Sequence, residues 1–139
     1  MASKIFIDAN ILLDFTLKRD AYAEAKQVIE LIVAGEVQAF ITPSIVYIVG
    51  YWLAKAYGNK KAKELLLALL ADIHVIDITH EITVSALLSK ISDIEDALQY
   101  STAVYHKLDY FISRDKQLQK MSITALPVYT PQEFLTEFK

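Results

Sequence analysis

The 139-residue chain is expected to fold as α/β, a three-layer α/β/α sandwich around a mostly parallel central sheet. Three observations carry that expectation. Short strands, apolar on both faces, alternate with helical segments along the whole chain, as in a sheet covered by helices on each side. Hydrophobic residues make up 54% of the sequence against 22% charged, with only 3 Gly and 3 Pro, so apolar burial can offset the entropy of ordering the chain. No internal repeat and no Pro/Gly/Ser-rich linker divides the sequence, whose length suits a single domain over residues 1–139.

Lys4-Ile5-Phe6-Ile7 is a short apolar run stopped by Asp8-Ala9-Asn10, a buried strand followed by a turn. From Asp20 to Val33, Ala21, Ala25, Val28, Ile29 and Ile32 recur at helical spacing, and Gly35 stands where a left-handed cap closes a helix. Val37–Ile41 is the second strand. Thr42 then caps a helix with Pro43 pre-set at its first position, running to about Tyr57, where Gly58-Asn59 breaks it. Another helix covers Lys60 to Leu70. His74–Ile78 is the third strand and Glu81–Leu88 a short helix. Ser92 and Glu95 have capping-box spacing and open a helix to about His106. Tyr110–Ile112 is a strand ending in Ser113-Arg114-Asp115, and Leu126–Tyr129 a last strand. Thr130-Pro131-Gln132-Glu133 repeats the threonine–proline helix start, again with glutamate at capping-box spacing.

The composition narrows the chemistry. Without cysteine there are no disulfides, thiolate metal sites or cysteine nucleophiles, which fits a reducing cytoplasm. No signal-like leader opens the sequence and no apolar run is long enough to span a bilayer, so a cytoplasmic location is expected. A net charge of −3 argues against a cationic nucleic-acid coat, although Lys60, Lys61 and Lys63, and again Arg114, Lys116 and Lys120, form two local basic groups.

In a parallel sheet the functional crevice lies beyond the carboxyl ends of the strands. Asp8 ends the first strand and Asp115 lies just past the fourth, while Asp93 and Asp96 stand one turn apart at a helix start. A lone aspartate after a strand is as often a turn former or helix cap. Carboxylates gathered from several segments, however, raise one another's pKa values and strain the fold unless a cation joins them. Oxygen ligands without cysteine or paired histidines suit magnesium or manganese, and such sites serve phosphoryl or phosphodiester chemistry. Glu95 reads first as the capping partner of Ser92, and Asp14 equally as a neighbour of the site or as a solvated helix end. His74, His80 and His106 share no motif. Trp52 and the tyrosines fall mostly at helical spacing among aliphatic residues, as core or dimer surface.

Phe6-Ile7-Asp8-Ala9-Asn10-Ile11-Leu12-Leu13-Asp14 resembles the first motif of PIN-domain ribonucleases, including the VapC-like toxins of VapBC-type toxin–antitoxin pairs. Asp93-Ile94-Glu95-Asp96-Ala97 is similar to the family's third motif, with Asp96 in the place of its aspartate. Phe111-Ile112-Ser113-Arg114-Asp115 resembles the closing motif, a strand leading to serine or threonine, one residue, then aspartate. The resemblance covers nearly the whole chain. One part departs from it: the helix after the second strand carries no acid, and Ile48 stands near the place of the family's glutamate.

The resemblance implies a PIN-like fold and a metal-dependent endoribonuclease, the toxin of a toxin–antitoxin pair. Asp8, Asp96 and Asp115 would be catalytic and would hold Mg2+ or Mn2+, with Asp93 or Glu95 supplying the missing acid. Asn10 and Ser113 would orient these carboxylates or contact phosphate, and Arg114 and Lys116 would hold the backbone of a single RNA strand. It also implies a homodimer and a cognate antitoxin protein, for which the helix of Tyr47, Tyr51 and Trp52 is a possible surface. The absent glutamate supports a second reading, a catalytically degenerate PIN domain that binds protein or RNA. A receiver-like phosphoacceptor domain fits poorly, because it needs an acidic pair after the first strand and a lysine after the last.

Overall fold

A computed structural model describes residues 2–138. Five strands form one parallel sheet in the order β3-β2-β1-β4-β5, where β1 is Ser3–Ile7, β2 Val37–Ile41, β3 Ile73–Val75, β4 Tyr110–Ile112 and β5 Val128–Tyr129. The chain leaves the central β1 leftward through β2 and β3, then returns across it to β4 and β5. Two arms that wind in opposite senses place their helices on opposite faces. They also create a topological switch point between β1 and β4, where a crevice opens at the carboxyl edge.

Burial on both faces explains why β1 reads as a continuous apolar run. Ile5, Phe6 and Ile7 are fully enclosed, and Phe6 stacks on Phe111 of the neighbouring strand with ring centroids 4.8 Å apart. The strands at the two edges are shorter than expected. β3 pairs with β2 alone through three residues and stops at Val75, leaving Asp77 and Ile78 outside the ladder. β5 begins only after Pro127, which has no N–H to give to a ladder.

The helices are α1 Ala9–Thr16, α2 Tyr22–Val33, α3 Pro43–Tyr57, α4 Asn59–Leu70, α5 His80–Leu88, α6 Ile94–Tyr105, α7 Lys116–Met121 and α8 Pro131–Phe138. Two expected starts hold in detail. The Thr42 hydroxyl accepts from the Ile45 N–H at 3.2 Å with Pro43 at the first position, and Thr130 and Glu133 exchange reciprocal bonds of 2.9 and 3.1 Å. Gly35 adopts φ 78°, as its place after α2 requires.

Two helices, α1 and α7, stand where the sequence reads only as turns. α6 corrects a third expectation: its cap is Asp93, whose Oδ1 accepts from the Asp96 N–H at 2.9 Å, and not Ser92 paired with Glu95. The aromatic side chains of α3 decide between the two readings left open for them, core and surface. The buried stripe of the helix is Ile45, Val49 and Leu53, so Tyr47, Tyr51 and Trp52 face outward. Among the described residues no helix is long and apolar enough to cross a membrane.

Candidate active site

Asp8 ends β1 and opens α1 with one side chain. Its Oδ1 accepts from the Ala9 N–H at 2.8 Å, and its Oδ2 accepts from the Ser113 hydroxyl at 2.7 Å. The Ser113 oxygen in turn accepts from the Asp115 N–H at 3.1 Å, so the ends of β1 and β4 are tied across the switch point. Asp8 is 6% exposed. Burial pushes its carboxyl up, the bonds from Ser113 and Ala9 pull it back, and the charge of Asp115 adds to the rise. The helix-cap reading of this residue is therefore met, and the same carboxylate faces the cavity between β1 and β4.

Asp115 repeats the arrangement one strand over. Its Oδ1 accepts from the Gln117 and Leu118 N–H groups at 2.9 and 3.1 Å and so caps α7. From the opposite arm, the first turn of α6 brings Asp93, Glu95 and Asp96, one carboxylate oxygen of each lying within 4.8 Å of the others. Burial first, then the charges of Asp8 and Asp93, raise Glu95 to about 7. Burial, a hydrogen bond with Asp115 and the charge of Glu95 raise Asp96 to about 8. The acids of three separate segments thus face one cavity of about 540 Å3, lined by Asp8, Asp93, Glu95, Asp96 and Asp115 with Asn10, Arg19 and Arg114 on its rim.

Glu95 points into this cluster, not back toward Ser92. One of its carboxylate oxygens is buried with no hydrogen-bond partner. Gln99, one helical turn on, is 1% exposed and draws the Glu95 carboxyl down against the larger rise from burial. Gln99 is itself fixed, accepting from the Thr42 hydroxyl and donating to the Ser44 hydroxyl, both at 2.6 Å. Sequence reasoning passed over Gln99, whose only signal was its i+4 spacing from Glu95.

The basic rim was also partly missed. Asp14 is 2% exposed, so it is not a solvated helix end. Arg19 Nε lies 3.0 Å from its Oδ1, and Arg114 Nη2 lies 2.9 and 2.7 Å from its two oxygens. Arg19 also donates to the Asn10 side-chain carbonyl at 3.2 Å. Both guanidinium groups remain partly exposed beside the acids. Lys116 is exposed and does not line the cavity, and no histidine does: His74 stacks on Phe40, and His106 bonds the Asp77 carbonyl. Ile48 packs half-buried against the core and does not line the cavity either.

The donor set suits a hard divalent cation. All the candidate donor atoms are carboxylate oxygens, two carboxyls are forced toward neutrality by burial and then by neighbouring acids, and one buried oxygen has no partner. A cation among them would relieve each of these costs.

Comparison with known proteins agrees with this arrangement. The family profile of the PIN domain matches residues 4–117. A toxin–antitoxin complex from Klebsiella pneumoniae contains a chain 25% identical, with TM-score 0.69 over 91% of this chain and 97% of that one. VapBC2 from Rickettsia felis, bound to a DNA fragment from its promoter, is 14% identical with TM-score 0.67 over 90% and 96%. VapC20 from Mycobacterium tuberculosis, a sarcin–ricin-loop-cleaving toxin, is 12% identical with TM-score 0.68 over 87% and 97%. No curated protein matches the chain by sequence. With acids at the end of β1, in the first turn of α6 and after β4, and with the family profile running through all three, the chain belongs to the PIN-domain family and has the fold of VapC-like toxins.

Proposed function

We propose that this chain is a metal-dependent endoribonuclease, a single PIN-like domain acting as the toxin of a toxin–antitoxin pair. The observation that carries the reading is the convergence of Asp8, Glu95, Asp96 and Asp115 on one cavity at the switch point of the sheet. These four would hold Mg2+ or Mn2+, with Asp93, one of whose oxygens lies within 4.8 Å of those of Glu95 and Asp96, beside them. Such an ion, when bound, lowers the pKa of a water and offsets charge on the phosphodiester under attack.

The protein's own groups prepare that site. Ser113 fixes Asp8 through its hydroxyl, and Gln99, held by Thr42 and Ser44, stands one turn behind Glu95. Arg19 and Arg114, braced by Asp14, offer guanidinium edges to an RNA backbone entering beside the acids, which gives Arg114 its substrate contact. Asn10, held by Arg19, lines the same entry. Glu95 answers the absence of an acid on α3. It reaches the cluster from α6, which supports the nuclease reading despite Ile48 on α3. A cognate antitoxin belongs to the same reading on the likeness to a toxin–antitoxin complex, and a homodimer and a cytoplasmic location on the family resemblance alone.

The first test is a melting curve in EDTA, then in millimolar magnesium or manganese, beside Asp8→Asn. Metal is expected to raise the wild-type Tm by roughly 5 °C or more, because ligands stabilise the state they bind. The rise should vanish in Asp8→Asn, together with cleavage of single-stranded RNA. A wild-type Tm indifferent to metal would defeat the nuclease reading and favour a binding module.

A further inference from the structure

The outward face of α3 has no role in the site described above. Ser44, Tyr47, Ile48, Tyr51, Trp52 and Lys55 recur at i, i+3 and i+4 spacing and so share one side of the helix. Ser44, at the near end, bonds Gln99 and so stands one contact from Glu95. Trp52 lies eight residues along, about 12 Å up the axis at 1.5 Å per residue. Ile48 is half-buried, but the aromatic side chains of this face are exposed, Tyr47 by 74% and Trp52 by 49%. Tyr51 meets the Trp52 ring edge-on at 5.3 Å, and Lys55 Nζ stands 5.1 Å from the centroid of the Tyr51 ring.

The charge around this face runs against that of the whole chain. From Thr42 to Lys63 there are four lysines, Lys55, Lys60, Lys61 and Lys63, and no acid, whereas the chain carries −3. Lys60, Lys61 and Lys63 crowd the first turns of α4, the helix end at which the backbone dipole opposes cations. Among the described residues none of the four has a carboxylate within ion-pair distance. Exposed aromatic rings beside uncompensated cations form the surface that single-stranded nucleic acid takes, bases stacking on rings while lysines follow the phosphates. An apolar groove of about 580 Å3 between α5 and α6 differs: Ile82, Val104, Met121 and Ile123 are among its lining residues, with one acid, Glu81, and one cation, Lys90.

We propose that the α3 face from Ser44 to Lys55, continued by Lys60, Lys61 and Lys63, binds a single-stranded RNA segment that leads into the acidic cavity. This rests on the nuclease reading for the direction of the strand but is tested without catalysis. Trp52 is the only tryptophan, so its emission reports directly on stacking at this face.

The experiment titrates the full chain, in EDTA at low salt, with a mixed-sequence single-stranded 12-mer RNA. Binding is expected to quench Trp52, and Tyr47→Ala, at a solvent-facing position, should weaken it by roughly tenfold. Lys60→Ala with Lys61→Ala should lower the slope of log affinity against log salt by about 1. Asp8→Asn should bind at least as well as wild type, since it removes a negative charge near the strand's end. Quenching without any metal response would sink the nuclease reading and leave this surface standing. Two results overturn the proposal: no RNA binding, or binding that leaves Trp52 emission and the lysine and Tyr47 substitutions without effect. The second would put RNA elsewhere and leave α3 to a protein partner.

Discussion

Replacing Glu95 by glutamine keeps the length of the side chain while removing a charge that burial, Asp8 and Asp93 already oppose. Two opposite consequences follow. In EDTA near pH 8, Glu95→Gln should melt higher than wild type by a few degrees, since a repulsive ionised carboxylate is gone. In saturating manganese it should melt lower than wild type and lose at least about tenfold in cleavage, as one ligand is missing. A variant that melts with the wild type in both conditions would remove Glu95 from the ligand set. The residue types were legible in the sequence, which shows Asp8, Asp96 and Asp115 in order with the right punctuation. The task of Glu95 was half legible: the resemblance offers Asp93 or Glu95 for the missing acid, but Ser92-Asp93-Ile94-Glu95 also satisfies a capping pattern one residue out of step with the helix that forms. Only the fold shows that Asp93 takes the cap and frees Glu95 to turn toward Asp8.

At the scale of the elements, the same short segments close strands and begin helices. Asp8 caps α1 and Asp115 caps α7, so each candidate ligand is held by the backbone of the helix it starts. Sequence reasoning saw the strands and missed both helices. Asp8-Ala9-Asn10 and Ser113-Arg114-Asp115 have turn chemistry, α7 has only six residues, and α1 is apolar over most of its length, so its period is blurred. The burial of Asp14 was equally unreadable, since it depends on Arg114, 100 residues later in the chain. That pair joins α1 to the segment after β4. Asp14→Asn should therefore cost about 2 kcal/mol, less than a fully buried pair because both arginines are partly exposed. A shift in Tm of roughly 5 °C would register it. RNA cleavage should also fall, because Arg19 and Arg114 lose the brace that holds them at the cavity. Unchanged stability would show that solvent screens the pair completely.

Across the whole molecule, the acidic cavity makes stability depend on pH in a direction that the metal should reverse. Glu95 and Asp96 hold protons more tightly in the folded chain, at about 7 and 8, than at their ordinary values of 4.5 and 3.8. Between those limits the folded state binds more protons than the unfolded one, so the metal-free protein loses stability as pH rises. Asp8 is shifted in the same direction. In EDTA the Tm at about pH 5.5 should therefore exceed that at about pH 8.5, and Asp96→Asn should flatten the slope. With manganese present, protons and cation compete for the same oxygens, so stability should instead fall as the pH is lowered toward 5.5. Differential scanning fluorimetry across that range, with and without metal, measures both slopes on one sample. Parallel slopes in the two series would mean that proton and cation do not share a site, and would separate the shifted carboxyls from metal binding altogether. Opposed slopes would give the crowded acids a physical reason to persist in the fold, as a cost of the empty site that the bound cation removes.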